Sequence, residues 1–176
     1  MRVAALLRGI NIGPHKRIAM PRLRAIVESL GHTDVETYLQ SGNVVFTPAS
    51  RATPARLTAG LEQAIADATG HAVPVLVRTG AELAAVVEAG PYAADDPTKV
   101  VVAFLGEEVE LGQLGLGDLG DYLPDELTLI GREAYVSVPN GQARSKLMEE
   151  LTKRRLPTTL TVRNWRTVTA LAAMTR

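Results

Sequence analysis

The chain has no cysteine. That excludes a disulfide framework, a cysteine-rich zinc site and a thiolate nucleophile. Aromatic residues make up 4% of it, and Trp165 is the single tryptophan. The histidines His15, His32 and His71 stand far apart. They form no His-based metal motif, so no metal site is expected. No run approaches the ~18–20 apolar residues that span a bilayer, so no membrane partner is expected either. There is no Gly-Lys-Ser/Thr at P-loop spacing and no G-x-S-x-G elbow. The first strand-like run begins at Val3, which leaves no secretory signal ahead of the fold; the expectation is a cytoplasmic protein. Acid is also missing from the first 24 residues, which carry Arg2, Arg8, Lys16, Arg17, Arg22 and Arg24.

What is present suits a globular chain. Of the 176 residues, 46% are hydrophobic and 22% charged, enough apolar material for a core without staples. The formal net charge is zero but unevenly spread. The middle is acidic, with Asp95, Asp96, Glu107, Glu108, Glu110, Asp118, Asp121, Asp125, Glu126 and Glu133 against Lys99 and Arg132. The tail is basic again. Basic ends that meet in space would make an anion-binding face, whereas scattered ones would be solvated helix faces.

Periodicity gives the element order. Val3 to Leu7 is a continuous apolar run, a strand buried on both faces. Pro21 to Leu30 is a helix with the stripe Leu23, Ile26, Val27 and Leu30, closed by Gly31. Val35 to Leu39 and Asn43 to Thr47 form a hairpin around Gln40-Ser41-Gly42. Thr53-Pro54 opens a helix with Leu57, Leu61, Ile65 and Ala68 on one face, and Gly70 ends it. Val73 to Val77 is a fourth strand, put at a sheet edge by Pro74. Thr79-Gly80-Ala81-Glu82 is a capping box that starts a connector helix. Val100 to Leu105 is a fifth strand. Glu107 to Leu123 is ambiguous, with leucines at short intervals but four glycines. Leu127 to Ile130 with Ala134 to Val138 is a hairpin turning at Gly131-Arg132. A helix from Ala143 to Arg154, a strand from Leu160 to Val162 and a last helix from Arg163 follow. The fold class is α+β: two ferredoxin-like (β-α-β-β-α-β) units in tandem with a C-terminal helix. Residues 1–78 are the first unit, 79–98 the connector and 99–176 the second. The repeat lies in element order, with no residue-level repeat; one irregular α+β domain is the alternative.

Gly115-Leu116-Gly117-Asp118-Leu119-Gly120 matches a dinucleotide fingerprint in letters only. No strand runs into it and no helix leaves it, so it reads as a turn-rich loop. Gly9-Ile10-Asn11-Ile12-Gly13 is better placed, after a buried strand and before a helix, where backbone N–H groups can receive an anion. In the expected sheet, the end of the first strand lies beside the start of the third. That puts Arg8 and Asn11 next to Gln40, Ser41 and Asn43 as candidate ligand donors. The competing reading is that the asparagines satisfy loop backbone. Asn140 to Lys146 is a second strand-to-helix turn with donors Asn140, Arg144 and Lys146, or else an Asn cap with solvated bases. Arg163 to Thr167 is a third, in which Asn164 caps the last helix and Trp165 anchors a core.

The segment Leu6-Leu7-Arg8-Gly9-Ile10-Asn11-Ile12-Gly13, the entry Ile18-Ala19-Met20 and the hairpin Thr37 to Phe46 form a specific set with Pro139-Asn140-Gly141, Arg144 to Leu147 and Arg163 to Val168. Together they resemble a bacterial family catalogued as domain of unknown function 1697, over essentially the whole chain. Gly13-Pro14 departs from the family's usual Gly-Gly, and Pro14 removes an N–H from the loop. The resemblance implies a two-part ferredoxin-like fold and brings no activity, cofactor or catalytic residue. The expectation is therefore a binder of a small phosphate- or carboxylate-bearing ligand, through Arg8, Asn11, Gln40, Ser41, Asn43, Asn140, Arg144, Lys146 and Arg163. No nucleophile or base stands out, which leaves enzyme status open. One alternative is a nucleic-acid-binding module, although the first strand has no aromatic and the third only Phe46 for base stacking. Another is a non-catalytic interaction protein whose motifs are structural.

Overall fold

β1, Val3–Leu7, is apolar and buried at every position. In the computed structural model, which describes all residues from 1 to 176, it is an interior strand of a four-stranded sheet ordered β2-β3-β1-β4. β2 is Thr33–Tyr38, β3 Asn43–Thr47 and β4 Val75–Thr79. Every pairing is antiparallel, with Ala5 opposite Val44 on one side and Val77 on the other. Side chains alternate across a strand. Val3, Ala5, Leu7, Val44, Phe46, Val75 and Val77 therefore share one face. That face packs against Leu23, Ile26 and Val27 of α1 (Met20–Ser29) and Leu57, Leu61 and Ile65 of α2 (Pro54–Thr69). Ala4, Leu6, Val45, Leu76 and Arg78 on the opposite face are buried as well. Ala68, expected on the buried stripe of α2, is exposed.

Local chemistry sets the boundaries. Thr53 caps α2 by accepting from Arg56 N, and Gly70, in the left-handed region, ends it. The fourth strand starts at Val75 rather than Val73, because Pro74 has no N–H to give a ladder. The Pro74 carbonyl instead accepts from Arg8 N at 2.9 Å. β4 is an edge strand, as expected. The capping box is complete: Thr79 N donates to Glu82 Oε2 at 2.7 Å and Glu82 N to Thr79 Oγ1 at 3.2 Å. It opens α3, Gly80–Ala89.

The chain divides into two compact units, Met1–Ala84 with Leu171–Arg176, and Ala85–Ala170. In the second, β5 (Val100–Leu105) pairs antiparallel with β7 (Glu133–Ser137) and β8 (Leu160–Asn164), and β6 (Glu126–Ile130) pairs with β7. The order β6-β7-β5-β8 repeats that of the first sheet. The β-α-β-β-α-β pattern would put a helix between β5 and the hairpin. Two 3-10 turns, Leu111–Leu114 and Leu119–Tyr122, take its place. Gly112, Gly115, Gly117 and Gly120 each cost an α-helix about 0.8–1 kcal/mol relative to alanine. Leu114 and Leu116 still reach the core. The next helix is shorter than Ala143 to Arg154: α4 spans Lys146–Lys153, after a 3-10 turn at Gln142–Arg144. Its cap is Ser145, whose Oγ accepts from Met148 N at 2.9 Å, and not Asn140.

The two edge strands share one local feature, a buried arginine just before a helix cap. β4 ends in Val77-Arg78-Thr79 and β8 in Val162-Arg163-Asn164. Arg78 stands opposite Ala4, and Arg163 opposite Val102. Both arginines are buried. Thr79 caps α3, and Asn164 caps α5 (Trp165–Met174) by accepting from Thr167 N at 2.9 Å.

The β2–β3 turn depends on Gly42. Its φ is +88°, and a Cβ there would stand 2.6 Å from Ile10 Cδ1 and 3.0 Å from Leu7 Cβ. Gly42→Ala is expected to cost about 1–3 kcal/mol through overpacking and backbone strain, read as a lowered urea midpoint.

Candidate functional site

The loop after β1 is fixed before any ligand is considered. Leu7 N donates to Gly42 O and Arg8 N to Pro74 O, both at 2.9 Å, so the loop leaves between two anchored neighbours. Ile10 and Ile18 are buried and hold it down at two points. Asn11 closes it from within. Its Nδ2 donates to Ile18 O at 3.0 Å and to Gln40 O at 2.8 Å, while its Oδ1 accepts from Ile18 N at 2.9 Å. Asn11 has φ 55°, a left-handed conformation asparagine tolerates better than most residues. Asn43 is fully buried, with Nδ2 donating to Tyr38 O at 2.7 Å and Ser41 Oγ at 3.1 Å. The loop and the turn are thus side by side, as the strand order implied. The N–H donors of both asparagine amides are used within the protein, so their part is to position the loop.

The exposed residues of this cluster are Arg8, Gln40 and Ser41. Neighbouring cations are mostly engaged. Lys16 Nζ donates to Ala72 O at 3.1 Å, Arg17 Nε to Gly13 O at 3.2 Å, and Arg22 to Ala68 O near the end of α2. Cations there complement the negative end of the helix dipole. The Arg8 guanidinium makes no hydrogen bond or ion pair and faces solvent.

In the second unit, Arg144 and Lys146 are exposed. With Gln142, Met148, Glu149 and Thr152 they line an open depression of about 870 Å³. Ser145 beside them is spent as a cap and as a donor to buried Asp125 Oδ2 at 2.7 Å. Asn140 is exposed on the approach to this turn. Arg163 is not among the lining residues. It is buried in β8, donating to Thr161 Oγ1 at 2.9 Å and Val162 O at 2.8 Å. Burial pulls its pKa down to about 10. Tyr135, on the same sheet face, donates to Val86 O at 3.1 Å. Its pKa is pushed up to about 12, first by burial and then by Glu133.

Two features escaped the sequence. Arg78 is buried in β4, and its one signal was a lone cation inside an apolar strand. His32 stacks on Phe46 with ring centroids 4.6 Å apart, and its Nδ1 accepts from Ala49 N at 3.1 Å. Phe46 is thereby enclosed and unable to stack on a base. No group of three or more His, Asp or Glu side chains is placed to hold a metal ion.

These contacts separate structural from solvent-facing residues. Asn164→Ala removes a helix cap and is expected to cost about 0.5–2 kcal/mol. Arg144→Ala should stay within about ±0.5 kcal/mol, and paired urea titrations compare them. His32 must be neutral at Nδ1 to accept from Ala49, and burial lowers its pKa below the ordinary imidazole value of 6.5. The unfolded state therefore binds the proton more readily. The His32 contribution to stability is present above about pH 6.5 and is lost as pH falls through the lower folded value. In His32→Gln, the urea midpoint should fall less between neutral and mildly acidic pH than in the wild type.

Comparison with known proteins adds a family and a fold. No curated protein matches the chain. Among solved structures, the conserved bacterial protein SP0830 from Streptococcus pneumoniae superposes with a TM-score of 0.80 at 24% identity, over 99% of this chain and 98% of that one. This likeness concerns the fold. The family described as "Protein of unknown function (DUF1697)" matches residues 1–135. The match stops short of the Asn140–Lys146 turn and the Arg163–Val168 segment, which the sequence resemblance had included. With most of its length matched, the chain belongs to the DUF1697 family.

Proposed function

We propose that the protein binds a small phosphate- or carboxylate-bearing ligand at the strand-end loop of its first unit. Arg8 is the charged contact, Gln40 and Ser41 are polar contacts, and Asn11 and Asn43 position the loop. The observation that carries this is the contrast within one cluster. Asn11 spends its amide holding the loop against the Gln40 turn, while Arg8 beside it stays exposed with no partner. A charge left free on a pinned loop loses little freedom when an anion arrives. Arg144 and Lys146 on the depression of the second unit are a second place for the same chemistry. The reading is one of recognition, with no reaction attached.

The fold proposal belongs with it. Residues 1–78 and 99–176 are read as ferredoxin-like units joined by 79–98, supported by the repeated strand order. The first has both helices of that pattern; the second replaces one by 3-10 turns.

A second reading treats the motifs as structural parts of a non-catalytic interaction protein. The engaged amides of Asn11 and Asn43 favour it. Inorganic phosphate separates the two readings. Binding to the native state alone stabilises by about 2.7 kcal/mol at a hundredfold excess over Kd, a rise of several degrees in Tm. The wild type should show that rise, Arg8→Ala should lose most of it, and Arg144→Ala a smaller part. A flat wild-type response, or a rise undiminished in Arg8→Ala, removes the first-unit loop from consideration.

A further inference from the structure

The two units build their strand ends in the same way. In the first, Leu7 N donates to Gly42 O in the β2–β3 turn and Arg8 N to Pro74 O just before β4. In the second, Leu105 N donates to Arg132 O in the β6–β7 turn and Gly106 N to Thr159 O just before β8. The loop after β1 and the segment after β5 are therefore equivalent places, each beside an equivalent hairpin turn. Their charges are opposite. The first end carries Arg8, His15, Lys16 and Arg17, and no acid occurs before Glu28. The second carries Glu107, Glu108 and Glu133 against Arg132. Glu108 Oε1 and Glu133 Oε2 both lie within 4.0 Å of the position a Cβ would take at Gly131. Glu107 and Glu108 are exposed.

Each end also exposes aliphatic surface. Ile12 is 78% and Leu39 54% exposed at the basic end, and Ile130 is 40% exposed at the acidic end. Exposed aliphatics rimmed by charge mark interaction surfaces. A nucleic acid would satisfy the cations but leave Ile12 and Leu39 against a polar backbone. The acidic end of another copy offers carboxylates and an apolar residue together.

We propose that the basic strand end of one copy docks on the acidic strand end of a second copy of this chain. This rests on the anion-binding reading of the first-unit loop and names its partner as the Glu107–Glu108 carboxylates. The contact is heterologous, so a docked pair keeps one free basic and one free acidic end, and further copies can add to it.

Sedimentation velocity on the full chain tests it. At about 0.05 M salt the wild-type weight-average mass should rise with concentration to beyond twice the monomer. It should return to the monomer at about 0.5 M salt, where screening shortens to a few Å. Arg8→Ala alone and Glu107→Gln/Glu108→Gln alone should each show at least a tenfold loss of association, with unchanged circular dichroism. Mixed one to one, they should form a dimer and stop there, because one supplies the intact acidic end and the other the intact basic end. A wild type that stays monomeric, variants that associate like the wild type, or a mixture that stays monomeric each overturn the proposal. A mass increase seen only on adding an RNA oligonucleotide overturns it in favour of a polyanion. If phosphate still raises the wild-type Tm through Arg8 while the protein stays monomeric, the anion site stands and only the partner is wrong. If the phosphate response is also missing, both fall.

Discussion

The antiparallel pairing of β1 with β3 is the constraint on which the rest of the first unit depends. It sets Leu6 opposite Asn43, so the chain leaving β1 must pass the turn that enters β3. The Leu7 to Gly42 bond ends the ladder at that point. Only then can the Asn11 amide reach both Ile18 and Gln40 and convert a polar, glycine-containing loop into a defined one. Remove the register and Asn11 has no Gln40 carbonyl to hold. A one-residue slip would also turn the apolar set of β1 to the other face.

Much of this was legible because local and global signals agree. Val3–Leu7, Asn43–Thr47 and Val100–Leu105 have the expected bounds; each is apolar, short and flanked by polar or glycine residues. The caps at Thr53, Thr79 and Asn164 were readable because a cap is chemistry within three residues. The segment from Glu107 to Leu123 was not readable, since its leucines suggest a helix and its glycines oppose one. Packing resolved that conflict by taking Leu114, at the end of the first 3-10 turn, and Leu116, in the link to the second, into the core. Asn140 offers the same capping chemistry earlier in the sequence, and it is the bond from Met148 N to Ser145 Oγ, with Ser145 donating to buried Asp125, that distinguishes them.

The candidate site was legible as a neighbourhood more than as a set of donors. Residue type alone cannot tell an amide that will meet a ligand from one that will meet its own backbone, because both use the same donors. The carbonyl partners of Asn11 and Asn43 come from the β2–β3 hairpin and the loop before α1, and those meetings require the fold. Arg163 shows the same limit. Read as the first residue of the last helix, it stands instead inside β8, opposite Val102 on a buried face.

The two buried arginines show what the repeat preserves. Each lies on an edge strand beside the central one, one residue before the side chain that caps the following helix. The cost is real, since desolvation alone lowers the Arg163 pKa to about 10. An aliphatic side chain would avoid it. A cation in that place, however, makes register errors expensive. Val77 and Val162 precede the arginines and point to the apolar cores of their sheets. A slip of one residue would turn a guanidinium into that core, where Val75 and Leu61 in one unit, or Ala103 and Leu151 in the other, offer no acceptor. The arginine therefore penalises the slipped pairing more than it burdens the native one. Each edge strand is locked in register at the point where its helix must begin.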